Sequence, residues 1–108
     1  MSTAKKKRLL TGDELEQIAA YFRMLGEPMR LKILQAVCHE PRKVNDIVTA
    51  VGATQANVSK HLSLLAAAGI LSRQRAGQSI YYGLQDKLTL KMCALVQSQR
   101  AGWQTHQL

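Results

Sequence analysis

The stretch from Thr54 to Leu65 limits what this chain can fold into more than any other part of the sequence. Thr54 is a good helix N-cap, because its hydroxyl can accept a hydrogen bond from a backbone N–H of the first turn. Val58, Leu62 and Leu65 recur at helical spacing, so the stretch is predicted to be an amphipathic helix. Gly52 supplies a tight turn from a preceding short helical segment, which is the helix-turn-helix arrangement.

The remaining surface of this helix carries amides, hydroxyls, an imidazole and an ammonium group, but no carboxylate. A solvated helix usually carries Glu–Lys pairs, whereas these groups are the ones that read base edges and phosphates in a DNA major groove. We therefore predict a recognition helix. Its candidate DNA contacts are Thr54, Gln55, Asn57, Ser59, Lys60 and His61. An ordinary surface helix poor in acids is the alternative, and for His61 a packing role beside the contacts is a second interpretation.

The charge distribution points to a polyanionic partner. Lys plus Arg number 15 against 7 for Asp plus Glu, which gives a net charge of +8. No acidic residue lies between Asp46 and Asp86, whereas Lys60, Arg73 and Arg75 lie inside this window. One surface that faces double-stranded DNA is therefore predicted, and an anionic membrane surface is the weaker alternative.

With 108 residues the chain is expected to form one domain, over residues 11–102. Residues 1–10 are predicted to be a basic, flexible arm that adds phosphate contacts or only aids solubility, and residues 103–108 a frayed tail. The longest nearly apolar run, Leu62–Leu71, is far short of a membrane span. No apolar signal-peptide core follows the basic N-terminus, so a cytoplasmic protein with no membrane partner is expected.

Helical spacing and capping signals predict the first two helices. The capping box Thr11-x-x-Glu14 opens a helix of residues 12–25, and Gly26 fits a left-handed stop. Pro28 suits the first position of a second helix that ends near His39.

The other two predicted helices have polar residues at their starts. Asn45 is expected to cap a short third helix, with a possible short strand at Val44 before it. Asp86 is expected to cap a last helix that Gly102 ends.

The periodicity changes from helical to alternating at Ile70. Two alternating segments flank Gly77 and Gln78, which predicts a β-hairpin with its turn at these residues. Arg73 and Arg75 are two residues apart and so share one face. A basic hairpin directly after a recognition helix is typical of a wing that contacts DNA, here through Arg73, Arg75 and Gln78. A structural hairpin with incidental arginines is the alternative.

The order of these elements, together with four short stretches, resembles the ArsR/SmtB family of bacterial repressors. The resemblance spans about residues 19–84, most of the chain. The stretches are LGEPMRLKIL (residues 25–34), QANVSKHL (55–62), AGIL (68–71) and GQSIYY (77–82). The resemblance implies a mainly α winged helix-turn-helix fold with about five helices and a two-stranded wing.

The resemblance also implies a homodimer that binds an inverted-repeat operator and leaves it when an inducer binds. In the family, the first and last helices build the dimer interface. In this chain, that places six apolar residues in the interface or the adjoining core: Leu15, Ile18, Phe22, Leu88, Leu95 and Val96.

The inducer is the point at which the sequence departs from well-known family members. Their metal-binding motifs in the third, recognition and last helices are absent, so no metal and no cofactor is expected. Cys38 and Cys93 remain, and they resemble the family's dithiol sensors of persulfide and oxidants, although in a different register. Plain core cysteines are the alternative. Zinc held by Cys38, His39 and Glu40 with Cys93 or His106 is a poorer match, because neighbouring helical residues diverge.

Two other classes of function fit less well. The sequence has no G-x-S-x-G motif, no Gly-rich phosphate loop and no evident pair of catalytic carboxylates, so an enzyme is not expected. A single-stranded RNA platform would need clustered aromatic residues, and the few in this chain are scattered.

Overall fold

A computed structural model describes residues 8–103, and it contains five α-helices and a three-stranded antiparallel sheet. In chain order the elements are α1 (Gly12–Leu25), α2 (Pro28–Val37), β1 (Arg42–Lys43), α3 (Val44–Val51), α4 (Gln55–Ala67), β2 (Leu71–Ala76), β3 (Ser79–Leu84), α5 (Lys87–Gln99) and a 3-10 helix at Arg100–Gly102. This confirms the predicted winged helix-turn-helix class. Most of the predicted basic arm and most of the predicted tail lie outside the described residues.

The N-terminus of α1 has the predicted capping box. The Thr11 hydroxyl accepts from the Glu14 N–H at 3.1 Å, and the Glu14 carboxylate accepts from the Thr11 N–H at 2.8 Å. Both carboxylate oxygens also accept from the Arg8 guanidinium at 2.9 Å. These bonds, first that from Arg8 and then that from the Thr11 backbone, lower the pKa of Glu14 to about 2.

Helix α1 ends at Leu25 as predicted, but the conformation of Gly26 and the end of α2 differ from the sequence prediction. Gly26 is not left-handed: its φ is −85°, and its N–H donates to the Arg23 carbonyl. A Cβ there would lie 3.2 Å from the Phe22 carbonyl oxygen, so close packing is what favours glycine. The second helix ends at Val37 rather than near His39. Pro41 disfavours helical backbone at the residue before it, which leaves the preceding residues in bends.

The start of α3 also differs from the prediction. The helix begins at Val44 itself, and Lys43 occupies the N-cap position without a side-chain hydrogen bond. Asn45 therefore lies inside the first turn, and the strand consists of Arg42 and Lys43. This two-residue strand pairs with Tyr82 and Tyr81 of β3, so the sheet has three strands rather than two. A strand of two residues is too short to show an alternating pattern in the sequence, and its hydrogen-bond partners lie far along the chain.

The hairpin agrees with the prediction in its residues and its turn. Strands β2 and β3 pair from Leu71↔Leu84 to Ala76↔Ser79, and Gly77 takes a left-handed φ of 67° in the turn. The register places Arg73 opposite Tyr82. Directly opposed residues of antiparallel strands project from the same face, so Arg73 and Tyr82 lie side by side.

The apolar core lies between α2, α3, α4 and the base of the hairpin. Its members are almost fully buried: Ile33, Leu34, Val37, Ile47, Val58, Leu62, Leu65, Ile70, Leu71 and Tyr82. The predicted apolar stripe of α4 contributes three of these residues, each with no exposed surface. The helix is thus held by its apolar side, and its polar side faces solvent.

A hydrogen-bond chain ties the last helix to the first. The Thr89 hydroxyl donates to the Asp86 carboxylate at 2.6 Å, and Asp86 also accepts from the Leu88 N–H as the predicted N-cap of α5. Because a hydroxyl has one proton, the Tyr21 hydroxyl must be the donor in its 3.0 Å contact with Thr89. The α-helix ends at Gln99, and the 3-10 helix, not the α-helix, extends to Gly102.

We predict that Thr89→Val destabilises the fold by about 1–3 kcal/mol, because the Tyr21 hydroxyl and the Asp86 carboxylate each lose a partner at a buried position. Urea unfolding at one fixed protein concentration measures this change. The control is Ser98→Ala, which removes an exposed hydroxyl of the same helix and should change stability by less than about 0.5 kcal/mol. Equal unfolding midpoints for wild type and Thr89→Val would contradict the prediction.

Candidate nucleic-acid interface

The polar side of α4 forms a continuous exposed surface. Gln55, Asn57 and Lys60 are exposed, and Ser59 is half-buried beside them. Thr54 accepts from the Asn57 N–H at 3.2 Å, so its hydroxyl caps the helix. This surface offers two amides, a hydroxyl and one ammonium group, which are the side-chain groups that pair with bases in a major groove.

His61 differs from these neighbours, because it is only 7% exposed. Its Nδ1 accepts from the Arg30 Nε at 3.2 Å. The burial and this contact favour the packing role that the sequence left open for His61. The imidazole lies on the buried side of α4 and not on its exposed polar side.

The hairpin adds exposed cations next to this helix in sequence. Arg73, Arg75 and Gln78 are all exposed, and the Arg73 Nε donates to the Tyr82 hydroxyl at 3.2 Å. This bond limits the freedom of the Arg73 side chain before any partner binds. From α4 to the end of β3 the chain carries no acidic residue. The surface built by these elements is therefore cationic.

Sequence reasoning missed two arginines at this end of the molecule. Arg30 contacts His61 from α2, and Arg42 lies opposite Tyr82 across the sheet, in one row with Arg73. The Arg42 Nη2 lies 3.7 Å from a Glu40 carboxylate oxygen. Arg30 falls inside the LGEPMRLKIL stretch, which was a usable signal, but the position of Arg42 depends on a pairing between distant strands.

The two cysteines line one cleft of about 330 Å³ between α2 and α5. Both are free thiols and partly buried, and the Cys38 Sγ donates to the Gln35 carbonyl at 3.3 Å. Burial, and to a smaller extent the neighbouring Cys38, raises the pKa of the Cys93 thiol. Cys93 is therefore held as a neutral thiol, which is the less nucleophilic form.

Residues 8–103 contain no group of three or more metal-ligating side chains. Cys38, His39 and Glu40, the residues of the zinc alternative, therefore do not come together with Cys93 as a set of zinc ligands. His106 lies outside the described residues. Over the same range no helix is long and apolar enough to cross a membrane.

All six residues expected at a dimer interface or its adjoining core are exposed, between 42% and 63% of their surface. They lie on α1 and α5: Leu15, Ile18, Phe22, Leu88, Leu95 and Val96. An adjoining apolar groove of about 380 Å³ lies between Phe22, Leu31, Met92 and Val96. So much apolar surface on two helices is typical of an interaction site.

The chain is similar in sequence to bacterial transcriptional regulators. Residues 27–73 match the family described as "Bacterial regulatory protein, arsR family". The HTH-type transcriptional regulator NmtR of Mycobacterium tuberculosis is 39% identical over 70 residues, which cover 65% of this chain and 58% of that protein. The chain spans little more than half of such curated relatives, between 54% and 61% of the length of three of them.

Solved structures share the fold over nearly the whole chain. The AntR antimony-specific transcriptional repressor is 29% identical, with a TM-score of 0.76 and 96% coverage of both chains. The homodimeric winged helix-turn-helix DNA-binding domain of a possible ArsR-family regulator from Mycobacterium bovis is 27% identical, with a TM-score of 0.72. It matches 85% of this chain and 88% of that domain.

We predict that Arg73→Ala and Arg75→Ala each weaken binding to every DNA duplex alike, because a wing arginine that contacts phosphate carries no sequence information. Each lost phosphate contact should make the plot of log affinity against log salt shallower by about 0.9. Fluorescence anisotropy over a salt series measures the slope. Lys91→Ala removes an exposed cation from α5 and serves as the control. Unchanged slopes in both arginine variants would mean that the hairpin does not contact DNA.

Proposed function

Because the chain belongs to the arsR family of bacterial regulatory proteins, we propose that it represses transcription by binding double-stranded operator DNA in the cytoplasm and that an inducer releases it. The observation that carries this proposal is the exposed polar side of α4, which bears amides and an ammonium group without a carboxylate. The wing that follows supplies cations over the same acid-free part of the chain.

In this proposal α4 enters the major groove. Gln55 and Asn57 are the base readers, since an amide can pair bidentately with adenine, and Lys60 contacts guanine or a phosphate. Thr54 and Ser59 contribute phosphate contacts at the start of the helix. Arg73, Arg75 and Gln78 of the wing hold the neighbouring backbone and set the register of the protein on the duplex.

The proposed active form is a homodimer built from α1 and α5. The exposed apolar residues of these helices support it, because a second copy of the chain would remove them from water. The homodimeric state of the Mycobacterium bovis domain supports it as well. A twofold axis would place the two α4 helices about 34 Å apart, one turn of DNA, which requires an inverted-repeat operator.

The test of this function is selection from a random duplex library, followed by Gln55→Ala and Asn57→Ala. We expect the selected site to be an inverted repeat and the protein to have twice its 12.0 kDa mass in light scattering. Each variant should lose about 1–3 kcal/mol of discrimination between the selected and a scrambled duplex. Gln99→Ala, an exposed amide at the end of α5, should lose none. If both α4 variants keep the discrimination of wild type, α4 is not the reading element.

We further propose that the inducer acts through Cys38 and Cys93. Their shared cleft between α2 and α5 supports this role. With peroxide as the oxidant, two thiols and one H₂O₂ would give one disulfide and two waters. With an inorganic polysulfide H₂Sn of three or more sulfur atoms as the oxidant, two thiols would give one link of n sulfur atoms between the two Cβ atoms and two H₂S, as the S–S bonds at the two ends of the polysulfide break. A link between these helices would shift α5, and with it the proposed dimer interface. A direct bond requires Cα atoms within about 7 Å.

The thiol proposal is tested by Cys38→Ser and Cys93→Ser, singly, with operator binding measured under reductant, peroxide and polysulfide. Wild type should bind at least tenfold more weakly when oxidised, and both variants should bind equally under all three conditions. Because the pKa of Cys93 is raised, iodoacetamide at pH 8 should label Cys93 more slowly than it labels free cysteine. Equal binding of wild type throughout would identify the cysteines as packing residues.

A metal-responsive repressor is the second candidate, since one structural neighbour is specific for antimony. Two thiols in one cleft are the feature of this chain that favours it. An antimonite arm in the same experiment separates this candidate from the oxidant-sensing one.

A further inference from the structure

Arg30 is the only described side chain that hydrogen-bonds α4 to another helix through a charged group. Its Nε donates to the His61 Nδ1 at 3.2 Å. On its other side, its Nη1 donates to the Met24 carbonyl at 3.1 Å and lies 3.3 Å from the Met24 sulfur. The same Nη1 lies 3.5 Å from the carbonyl oxygen of Arg23. One guanidinium therefore contacts two elements that are distant in sequence.

The α1 side of this contact has a clear physical basis. The last carbonyls of an α-helix have no partner inside the helix, and the macrodipole makes that end negative. Arg23 and Met24 belong to the last turn of α1, so the Arg30 cation satisfies a free carbonyl where its charge is favourable. The same α1 carries Leu15, Ile18 and Phe22 on its exposed apolar side.

On the α4 side, the contact defines which ring nitrogen of His61 carries the proton. A guanidinium has no hydrogen-bond acceptor, so the imidazole Nδ1 must accept and its proton must lie on Nε2. His61 is 7% exposed and directly follows Lys60, which faces solvent. The contact therefore holds α4 from its buried side, one residue away from the proposed reading surface.

We propose that Arg30 is a positioning residue for DNA recognition, which sets the orientation of α4 against the end of α1 through His61 and Met24. This inference rests on the proposed function of α4. It connects the helix that carries the proposed dimer surface with the helix that reads bases, so a shift of α1 changes the angle at which Gln55 and Asn57 meet the groove. Arg30 itself contacts no DNA in this role.

Arg30→Lys is the sharpest test, because lysine keeps the charge but is a point donor and cannot hold both partners as the planar fork does. The probes are a duplex that wild type selects from a random library and a scrambled duplex of equal composition. We expect about tenfold weaker binding to the selected duplex, about 1.4 kcal/mol, with the scrambled duplex and the salt slope unchanged. Arg23→Lys is the matched control, an exposed arginine beside the same helix end, and should bind as wild type does.

Two further measurements separate positioning from a purely structural role. In wild type, nitrogen NMR of the ring should show the Nε2-protonated tautomer of His61, and Arg30→Lys should lose this fixed tautomer. The variant His61→Gln keeps an acceptor and should retain discrimination, whereas His61→Leu should lose it. If Arg30→Lys does not fold, the two His61 variants test the same bond.

The proposal is overturned if Arg30→Lys weakens both duplexes equally and makes the salt slope shallower by about 0.9, because Arg30 would then be a phosphate contact. It is also overturned if Arg30→Lys and His61→Leu both keep the discrimination of wild type. Failure of wild type to select any duplex would instead refute the proposed function, so the two failures are distinguishable.

Discussion

Burial of the apolar stripe of α4 is the interaction on which the rest of the structure depends. Val58, Leu62 and Leu65 have no exposed surface, and they pack against α2, α3 and the base of the hairpin. Because a helix has one orientation about its axis once such a stripe is buried, Gln55 and Asn57 must face solvent. The exposed polar surface of α4, which is the proposed reading surface, is thus a direct result of core packing, and loss of the stripe would remove it together with the fold.

The first and last helices are attached by a different kind of contact. Thr89, fully buried, links Tyr21 of α1 to Asp86 at the start of α5 through short hydrogen bonds. Large apolar residues of both helices remain exposed. In the homodimer proposed above, removal of this exposed apolar area from water would supply the driving force for association.

The acid-free segment from α4 through β3 and the cleft that holds the two cysteines are separate parts of the molecule. The segment from α4 through β3 carries cations and no acid, and Glu14 is paired with Arg8 at the far N-terminus of α1. The cleft of Cys38 and Cys93 lies between α2 and α5, where no part of α4 lines it. An inducer at this cleft and DNA at α4 would therefore act on separate surfaces, and helix movement would have to couple them.

The sequence alone determined the local elements of this protein: the capping box at Thr11, the amphipathic period of α4 and the turn at Gly77 are written in neighbouring residues, and all three were predicted. The strand at residues 42–43 was missed because its pairing partners, Tyr82 and Tyr81, lie far along the chain. The start of α3 follows this strand directly, and the conformation of Gly26 follows from the backbone geometry at the end of α1, which residue types alone do not specify. For the candidate site, the exposed amides of α4 and the arginines of β2 followed from periodicity. Only the tertiary structure decided that His61 is buried on Arg30 and that Cys38 and Cys93 share a cleft. Such contacts join residues more than thirty positions apart, and their geometry is set by how the helices pack.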